Sequence, residues 1–357
     1  MTSLFAILWM FLPFCTESLV FPRQDESPLI AVLDFDLRLE IFDPSDGADA
    51  TFMERINVTG GRGGTSGIMD FNYKRNRIYW TDLGVSKVYS LKADGGDLDQ
   101  KVILEGDLGA PEGLAYDWIH NNLYVCDFRK HKIMVINPDT GAKKTLLPDV
   151  YEARDVEVDP KNGWLYWIAG WDESARLMKS SLDGQNQVLL TSDLDRPLSL
   201  SLDYDEQRLY WTELPLINSI RSIGVDGGNL TTVRRVGGGW RASPPKYITV
   251  SRNYIYWNQG HDTIRRAEKD RASRSIRYRN LETRGSYGRT ENLFMGILAI
   301  DPRKQIESPS LCGDNNGGCS HFCLPTLIQS TSPYNCACPD GMNLMDDNKT
   351  CSDEAQN

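Results

Sequence analysis

Ile78-Tyr79-Trp80-Thr81-Asp82 decides the fold, because recognisable copies of it return along the chain at near-constant spacing. They read Leu123-Tyr124-Val125-Cys126-Asp127, Leu165-Tyr166-Trp167-Ile168-Ala169, Leu209-Tyr210-Trp211-Thr212-Glu213 and Ile255-Tyr256-Trp257-Asn258-Gln259. Between the third positions the steps are 45, 42, 44 and 46 residues. A period of that length belongs to stacked or radially arranged units. Each copy is an apolar, aromatic and β-branched run, mostly closing on a polar residue, and reads as a strand.

Working outward, an apolar segment that closes on Asp and a turn precedes each aromatic strand: Ile68-Met69-Asp70, Leu114-Ala115-Tyr116-Asp117, Val156-Glu157-Val158-Asp159 and Leu200-Ser201-Leu202-Asp203. A third segment follows, such as Lys87-Val88-Tyr89-Ser90-Leu91, and ends in Asp94-Gly95, Asp183-Gly184 or Asp226-Gly227. Asp-Gly between two strands signals a hairpin. A fourth strand is expected at Lys101 to Leu104, Gln187 to Leu190 and Thr231 to Arg235. Each unit is then a four-stranded antiparallel meander, and such sheets repeating at this period describe a β-propeller, an all-β fold. The chain enters on a second strand, Leu29 to Leu33, and supplies its last first strand at Ile297 to Asp301. Six blades are expected, with those two segments pairing to leave no open edge at the seam.

Of 357 residues 40% are hydrophobic and 25% charged, which provides for a packed core. A net charge of −10 argues against nucleic acid or an anionic membrane as partner and favours a cationic one. The apolar run Leu4 to Phe14, followed by Thr16 and Ser18, reads as a signal peptide over residues 1–18. Beyond it no apolar run approaches the roughly 18 to 20 residues that cross a bilayer, so no direct membrane insertion is expected. The expected location is secreted or extracellular, as a free protein or as an ectodomain fragment of a membrane receptor. Sequons at Asn57, Asn229 and Asn348 are compatible with secretion and glycosylation.

These residues resemble the Tyr-Trp-Thr-Asp propellers of the low-density lipoprotein receptor family, over Leu29 to about Lys304. The resemblance implies that the strand-ending Asp ties neighbouring blades together. Asp82 and Asp127 keep it, Glu213 is close, and Ala169 and Gln259 depart, so those two blades are expected to rely more on packing. Cys126 replaces Thr and reads as a small buried side chain, since no base adjoins it. Downstream, Cys312, Cys319, Cys323, Cys336, Cys338 and Cys351 read as a disulfide framework for a module too small to build its own core. Spacing alone leaves the connectivity open. Asn316-Gly317-Gly318-Cys319-Ser320-His321-Phe322-Cys323 with Cys336-Ala337-Cys338-Pro339 resembles an epidermal-growth-factor-like module over residues 310–352. That resemblance implies Cys312 with Cys323, Cys319 with Cys336, and Cys338 with Cys351. The Cys pairs do not have zinc spacing, and the acidic calcium signature is absent before Cys312, where Ser308-Pro309-Ser310-Leu311 stands.

A propeller followed directly by this module is most similar to the first extracellular repeat of the Wnt co-receptors, whose ligands and antagonists grip one face of the disc. The loops after second and fourth strands line one face here, and its mixed acids, aromatics and Arg suit protein binding. Matched to the relatives, Glu112 stands for an acid, Arg154 for an arginine, Trp171 for a tryptophan and Met295 for a methionine. Where they carry Trp-Pro-Asn, with the Asn anchoring an Asn-x-Ile motif of antagonists, this chain has Arg196-Pro197-Leu198. An arginine after the second strand is replaced by Asp34 and Phe35. The expected partner is an extracellular protein of the Wnt-ligand or antagonist kind; a matrix-linking role like that of the nidogens, or an endocytic receptor role, is the alternative. An enzyme is not expected: His120, His131, His261 and His321 have no metal-ligand spacing, and acids on the first strands mostly end them at turns. No catalytic residue, metal or cofactor is assigned.

Overall fold

The structure, a computed structural model, describes residues 21–353 apart from residues 24, 35–37, 45–50, 59–66, 95–98, 215–216, 239–243, 260–262, 270–293, 328–329 and 331. The expected signal peptide, residues 1–18, and Phe35 lie outside the described residues. Six sheets form a ring. Blade one is Met69–Asn72, Arg77–Asp82, Lys87–Lys92 and Lys101–Leu104; blade two is Pro111–Asp117, Asn122–Asp127, Lys132–Ile136 and Lys143–Leu147. Blade three is Ala153–Asp159, Trp164–Ala169, Arg176–Ser181 and Val188–Thr191, and blade four Pro197–Asp203, Arg208–Glu213, Ile217–Gly224 and Thr231–Gly238. Blade five shows Pro245–Val250, Tyr254–Gln259 and Thr263–Glu268 among the described residues. Blade six joins the two ends of the ring in the order Phe294–Ile300, Leu29–Asp34, Arg38–Asp43 and Thr51–Asn57. At this seam Leu29 faces Ile300, Ala31 faces Leu298 and Leu33 faces Gly296, antiparallel.

Why Tyr and Trp stand side by side follows from the two-residue period of a strand, which sends neighbours to opposite faces. Trp80 packs with blade six and Tyr79 with blade two. Trp167 packs with blade two and Tyr166 with blade four; Trp211 packs with blade three and Tyr210 with blade five. Each blade thus buries both faces, and the apolar core is divided into six clusters, one between each pair of neighbours. Cys126, in the cluster between blades two and three, is wholly buried and not disulfide-bonded, and burial pushes its thiol well above the ordinary value.

The inner strands are held to one another by side chains that project into the central channel. Asp70 accepts from the Tyr116 amide at 2.7 Å, and Asp155 from that of Leu200 at 2.7 Å. Ser201 accepts from Val250 at 3.1 Å, and Thr249 from Ala299 at 3.0 Å. Where blade two meets blade three, Gly113 lets the backbones touch instead: a Cβ there would lie 2.6 Å from the Asp155 Cα. Gly296 does the same against Gly67, where blade six meets the start of blade one. The sequence reading of Asp70 as a turn residue is therefore corrected. Asn72 accepts the turn amide of Arg75, and Asp70 is a channel residue; Asp117, Asp159 and Asp203 do close their turns.

After blade six the chain crosses the ring as a short 3-10 turn, Pro302–Gln305, in which Gln305 accepts from the Tyr73 amide at 2.8 Å and Lys304 lines the channel beside Asp70 and Glu157. The cysteine-rich module then docks on blades two and three. Phe322 and Leu324 enter the apolar cluster between those blades. Burying two such side chains stabilises the junction by about 1.5–3 kcal/mol each. Asp340 accepts from the Thr145 amide at 3.0 Å, Asn335 donates to Asp183 at 2.8 Å, and the Leu311 amide donates to His120 Nε2 at 3.2 Å. Disulfides join Cys312 to Cys323, Cys319 to Cys336 and Cys338 to Cys351. Among the described residues no helix is long and apolar enough to cross a membrane.

Candidate ligand-binding face

The candidate site is built by a bulge that recurs at the start of the inner strands. In blades two to five the register between first and second strand shifts close to the residue that faces the third position of the pentapeptide: between Pro111 and Leu114, Pro197 and Leu200, and Pro245 and Ile248, and in blade three between Ala153 and Asp155, one residue before Val156 faces Trp167. A bulge bends the strand and re-aims its side chains. Counting two residues back from the facing position gives Glu112, Arg154, Leu198, Lys246 and, in blade six, Met295. Glu112, Arg154, Leu198 and Met295, which the resemblance singles out one by one, share one register position on blades two, three, four and six. Lys246 belongs to the same ring and was missed. The signal that could have found it is the constant offset from the aromatic strand.

The Thr of the pentapeptide supports this ring from the neighbouring blade. Thr81 Oγ1 donates to the Glu112 carbonyl at 3.2 Å, and Thr212 Oγ1 to the Lys246 carbonyl at 2.8 Å. The closing acid works beside it: Asp127 accepts from the Gly109 and Ala110 amides at 2.7 and 2.9 Å on the segment joining blades one and two, and Glu213 accepts from Asp195 at 3.3 Å. In blade three, where Ala169 offers no carboxylate, the Gly170 amide donates to the Glu152 carbonyl at 3.2 Å and Arg154 Nε donates to the Gly170 carbonyl at 3.3 Å. Asp34 stands at the same closing position in blade six. It is buried and accepts from the Arg38 amide at 2.9 Å and from Arg38 Nε at 2.7 Å, within its own hairpin.

Arg154 is the centre of the face. Its guanidinium lies 4.9 Å from the Phe128 ring centre and 4.3 Å from that of Trp171. Glu152 sits 3.3 Å and Glu112 3.6 Å from its terminal nitrogens. With its side chain only 12% exposed, the guanidinium spends its hydrogen bonds on the protein and holds the two rings apart at the surface. Burial pushes the Glu112 carboxyl up to about 7, against the lowering influence of Arg154, and Glu152 adds to the rise. Trp171 caps a short turn: its amide donates to Ser174 Oγ at 2.9 Å, and that hydroxyl donates to its carbonyl at 2.6 Å. Gly170 precedes it at φ +80, where a Cβ would strike the Ser174 carbonyl. Asp172 then receives Arg196 Nε at 2.6 Å, which links the Trp171 turn to the segment before Leu198. Leu198 is half-buried at the head of blade four. The structure therefore brings Glu112, Arg154 and Trp171 together, with Phe128 and Glu152 from the loops expected on this face, and places Leu198 one blade further on; the Met295 side chain lies outside what is described. Among the described residues no group of three His, Cys, Asp or Glu side chains is placed to hold a metal ion.

The architecture and the repeat agree with known proteins. Residues 76–118 match the low-density lipoprotein receptor repeat class B. Residues 312–351 match the coagulation factor Xa inhibitory site family. Over 294 residues, 81% of this chain, the sequence is 28% identical to the vitellogenin receptor Yl of Drosophila melanogaster, of which it spans 14%. Among solved structures, a chain of a nidogen/laminin complex superposes with a TM-score of 0.64 at 18% identity, covering 77% of this chain and 98% of that one. A calcium-binding protein, regucalcin, from Agrobacterium tumefaciens superposes with a TM-score of 0.51 at 11% identity, covering 61% and 75%. These identities speak for the fold alone. The sequence relative is named a receptor, and the matched repeat is named for one.

Proposed function

We propose that this protein binds an extracellular protein of the Wnt-ligand or antagonist kind through the face centred on Arg154, as a free protein or as part of a longer receptor. The observation that carries the proposal is the Phe128–Arg154–Trp171 stack flanked by Glu112 and Glu152. Half-buried aromatics fixed by a neighbour lose little freedom when a partner covers them, and Trp and Arg are the residues that dominate such interfaces. Two carboxylates sharing one guanidinium leave a negative excess that suits a cationic or amide-bearing partner. Because Glu112 sits near 7, a cationic partner gains affinity as pH rises through that value and the carboxyl ionises.

Leu198 sets the limit on which partners fit. An Asn at that position could offer a paired donor and acceptor to a ligand amide, and Leu offers neither. Short Asn-x-Ile peptides are therefore weak ligands here, by roughly 1–3 kcal/mol. Titration calorimetry with such a peptide tests this: Leu198→Asn is expected to tighten binding, and tight binding to the parent, unchanged by that substitution, refutes it. For the face as a whole, Trp171→Ala and Arg154→Glu should each weaken binding of a Wnt-type ligand or antagonist by about 30-fold or more with the fold intact. Unaltered binding in both refutes the proposal. An endocytic role like that of a yolk-protein receptor is the second reading, favoured by the 28% identity over 294 residues; binding and uptake of a lipoprotein by cells displaying the chain, in place of a Wnt-type ligand, would select it.

A further inference from the structure

One imidazole holds the segment that joins blades two and three. His131, in the turn after the aromatic strand of blade two, receives the Val150 amide on its carbonyl at 2.6 Å and the Glu152 amide on its Nδ1 at 3.0 Å. Its ring stacks on that of Tyr151, with centres 5.0 Å apart and planes 27° from parallel. A backbone N–H can only donate, so Nδ1 carries no proton and the neutral ring holds its hydrogen on Nε2. His131, Asp149 and Glu152 all stand in the left-handed region, at φ +53, +60 and +49. His and Asp are among the side chains enriched there; Glu is not, and such a residue persists only where its surroundings hold it. For Glu152 the hold is the bond to Nδ1.

From Glu152 a closed circuit of hydrogen bonds runs into the binding face. The Glu152 carbonyl receives the Gly170 amide at 3.2 Å, the Gly170 carbonyl receives Arg154 Nε at 3.3 Å, and Arg154 Nη2 returns to Glu152 Oε2 at 3.3 Å. Gly170 leads directly into Trp171, and Arg154 lies against both Trp171 and Phe128. The place of the stack therefore depends on where Glu152 stands.

We propose that His131 is the positioning residue of this face: its unprotonated Nδ1 fixes Glu152, and through Glu152 the Arg154 guanidinium and the Trp171 turn. Stacking on Tyr151 is a competing reason for a ring here, but a ring needs no acceptor, and Tyr151 is 57% exposed rather than part of the core. The acceptor is what a left-handed Glu152 requires. Imidazoles take up a proton between pH 8 and pH 5, and an imidazolium has two N–H donors and no acceptor. A protonated Nδ1 would meet the Glu152 N–H donor to donor, so acid releases the circuit. The charged and titratable groups around the ring come from three places. Lys130 and Lys132 flank it in its own turn, and Asp107 engages both ammonium groups from the segment joining blades one and two. Asp149, the Tyr151 phenol and Glu152, whose carboxylate is turned to Arg154, come from the segment that His131 holds. That the circuit positions a binding face rests on the proposed function; the circuit itself does not.

Amide hydrogen exchange, followed by NMR on the intact protein labelled with nitrogen-15 at glutamate and tryptophan, tests it. The Glu152 resonance is identified by its loss in Glu152→Asp. Glu112→Gln is the background throughout, so that the carboxyl near 7 takes no part. His131→Asn keeps an acceptor close to the place of Nδ1 and does not titrate, whereas His131→Gly has none; both lack the ring, and both residue types accept a left-handed backbone. At about pH 7.5 the Glu152 amide should exchange slowly in the parent and in His131→Asn, and about 5-fold faster in His131→Gly, the effect of one lost hydrogen bond. At about pH 5 the parent should match His131→Gly while His131→Asn stays slow. The Trp171 indole signal, identified by its loss in Trp171→Phe, should move whenever the Glu152 amide is released. Equal exchange in the two variants, a parent that follows His131→Asn into acid, or a Trp171 signal that stays fixed would each overturn the inference. No ligand enters these measurements, so they can fail while Trp171→Ala still abolishes binding, and hold where it does not.

Discussion

Replacing Asp155 by Asn should change how the stability of the whole ring depends on pH. Asp155 is 2% exposed, and its two oxygens accept from the Val156 and Leu200 amides at 2.8 and 2.7 Å. Burial outweighs those bonds and pushes the carboxyl from 3.8 up to about 7. Since the folded value lies above the unfolded one, the native chain binds the extra proton, and stability falls as pH rises from the unfolded value through the folded one. The full gap corresponds to about 4 kcal/mol, of which about 2–3 kcal/mol falls between pH 5 and pH 8. Asp155→Asn removes the charge, and with it one of the two acceptor oxygens at a cost of about 1 kcal/mol that does not vary with pH. Denaturant unfolding at both pH values should therefore find the variant less stable than the parent at pH 5 and as stable or more so at pH 8. Asp70, near 6, and Glu157, near 8, are raised by burial in the same sense, so the variant keeps part of the slope. Parallel pH profiles for parent and variant would refute the argument.

Gly113→Ala should lower the melting midpoint by an amount equivalent to about 1–3 kcal/mol or more, because the new Cβ meets the backbone of Asp155 and Arg154 rather than a movable side chain; an unchanged midpoint would show that blades two and three can part without cost. A chain ending before Phe294 should lose its cooperative melt, whereas one ending after Gln305 should keep it, since only the former strips Leu29–Asp34 of its inner partner. Circular dichroism of the two distinguishes them, and equal melts would sink the seam.

The pentapeptide made the fold legible because its residues answer to both faces of a sheet at once, and a misplaced copy would expose Tyr or Trp. The seam was legible because the repeat opens on a second-strand segment, Leu29 to Leu33, and closes on a first-strand segment, Ile297 to Asp301. Asp70, Asp155 and Glu157 were harder to place: a polar residue inside an apolar strand looks the same whether it caps a turn or lines a channel, and only the neighbouring blade, supplying the Tyr116 or Leu200 amide, separates the two. On the binding face, Glu112, Arg154 and Trp171 came from resemblance. Phe128 and Glu152 fall in the loops after second and fourth strands that the sequence assigns to this face, but that they surround Arg154 across a blade boundary is something strand periodicity does not record. The docking of Phe322 and Leu324 was equally hidden, since the spacing of cysteines in a disulfide-held module does not record which neighbouring surface its apolar residues cover.

Pairing Leu29–Asp34 with Phe294–Ile300 also fixes the order of events during synthesis. Of the strands of this ring, Leu29–Asp34 is made before the rest, is apolar and ends up wholly buried, yet its inner partner is made about 260 residues later. At ordinary rates of translation that delay is on the order of tens of seconds. Through that interval blades one to five can pack on one another while the edge of blade six stays open, in a form prone to pair with any other strand it meets. Production of this protein should accordingly be limited by the time a nascent chain spends unclosed more than by the stability of the finished ring, and anything that shields an open sheet edge for that interval should raise the yield.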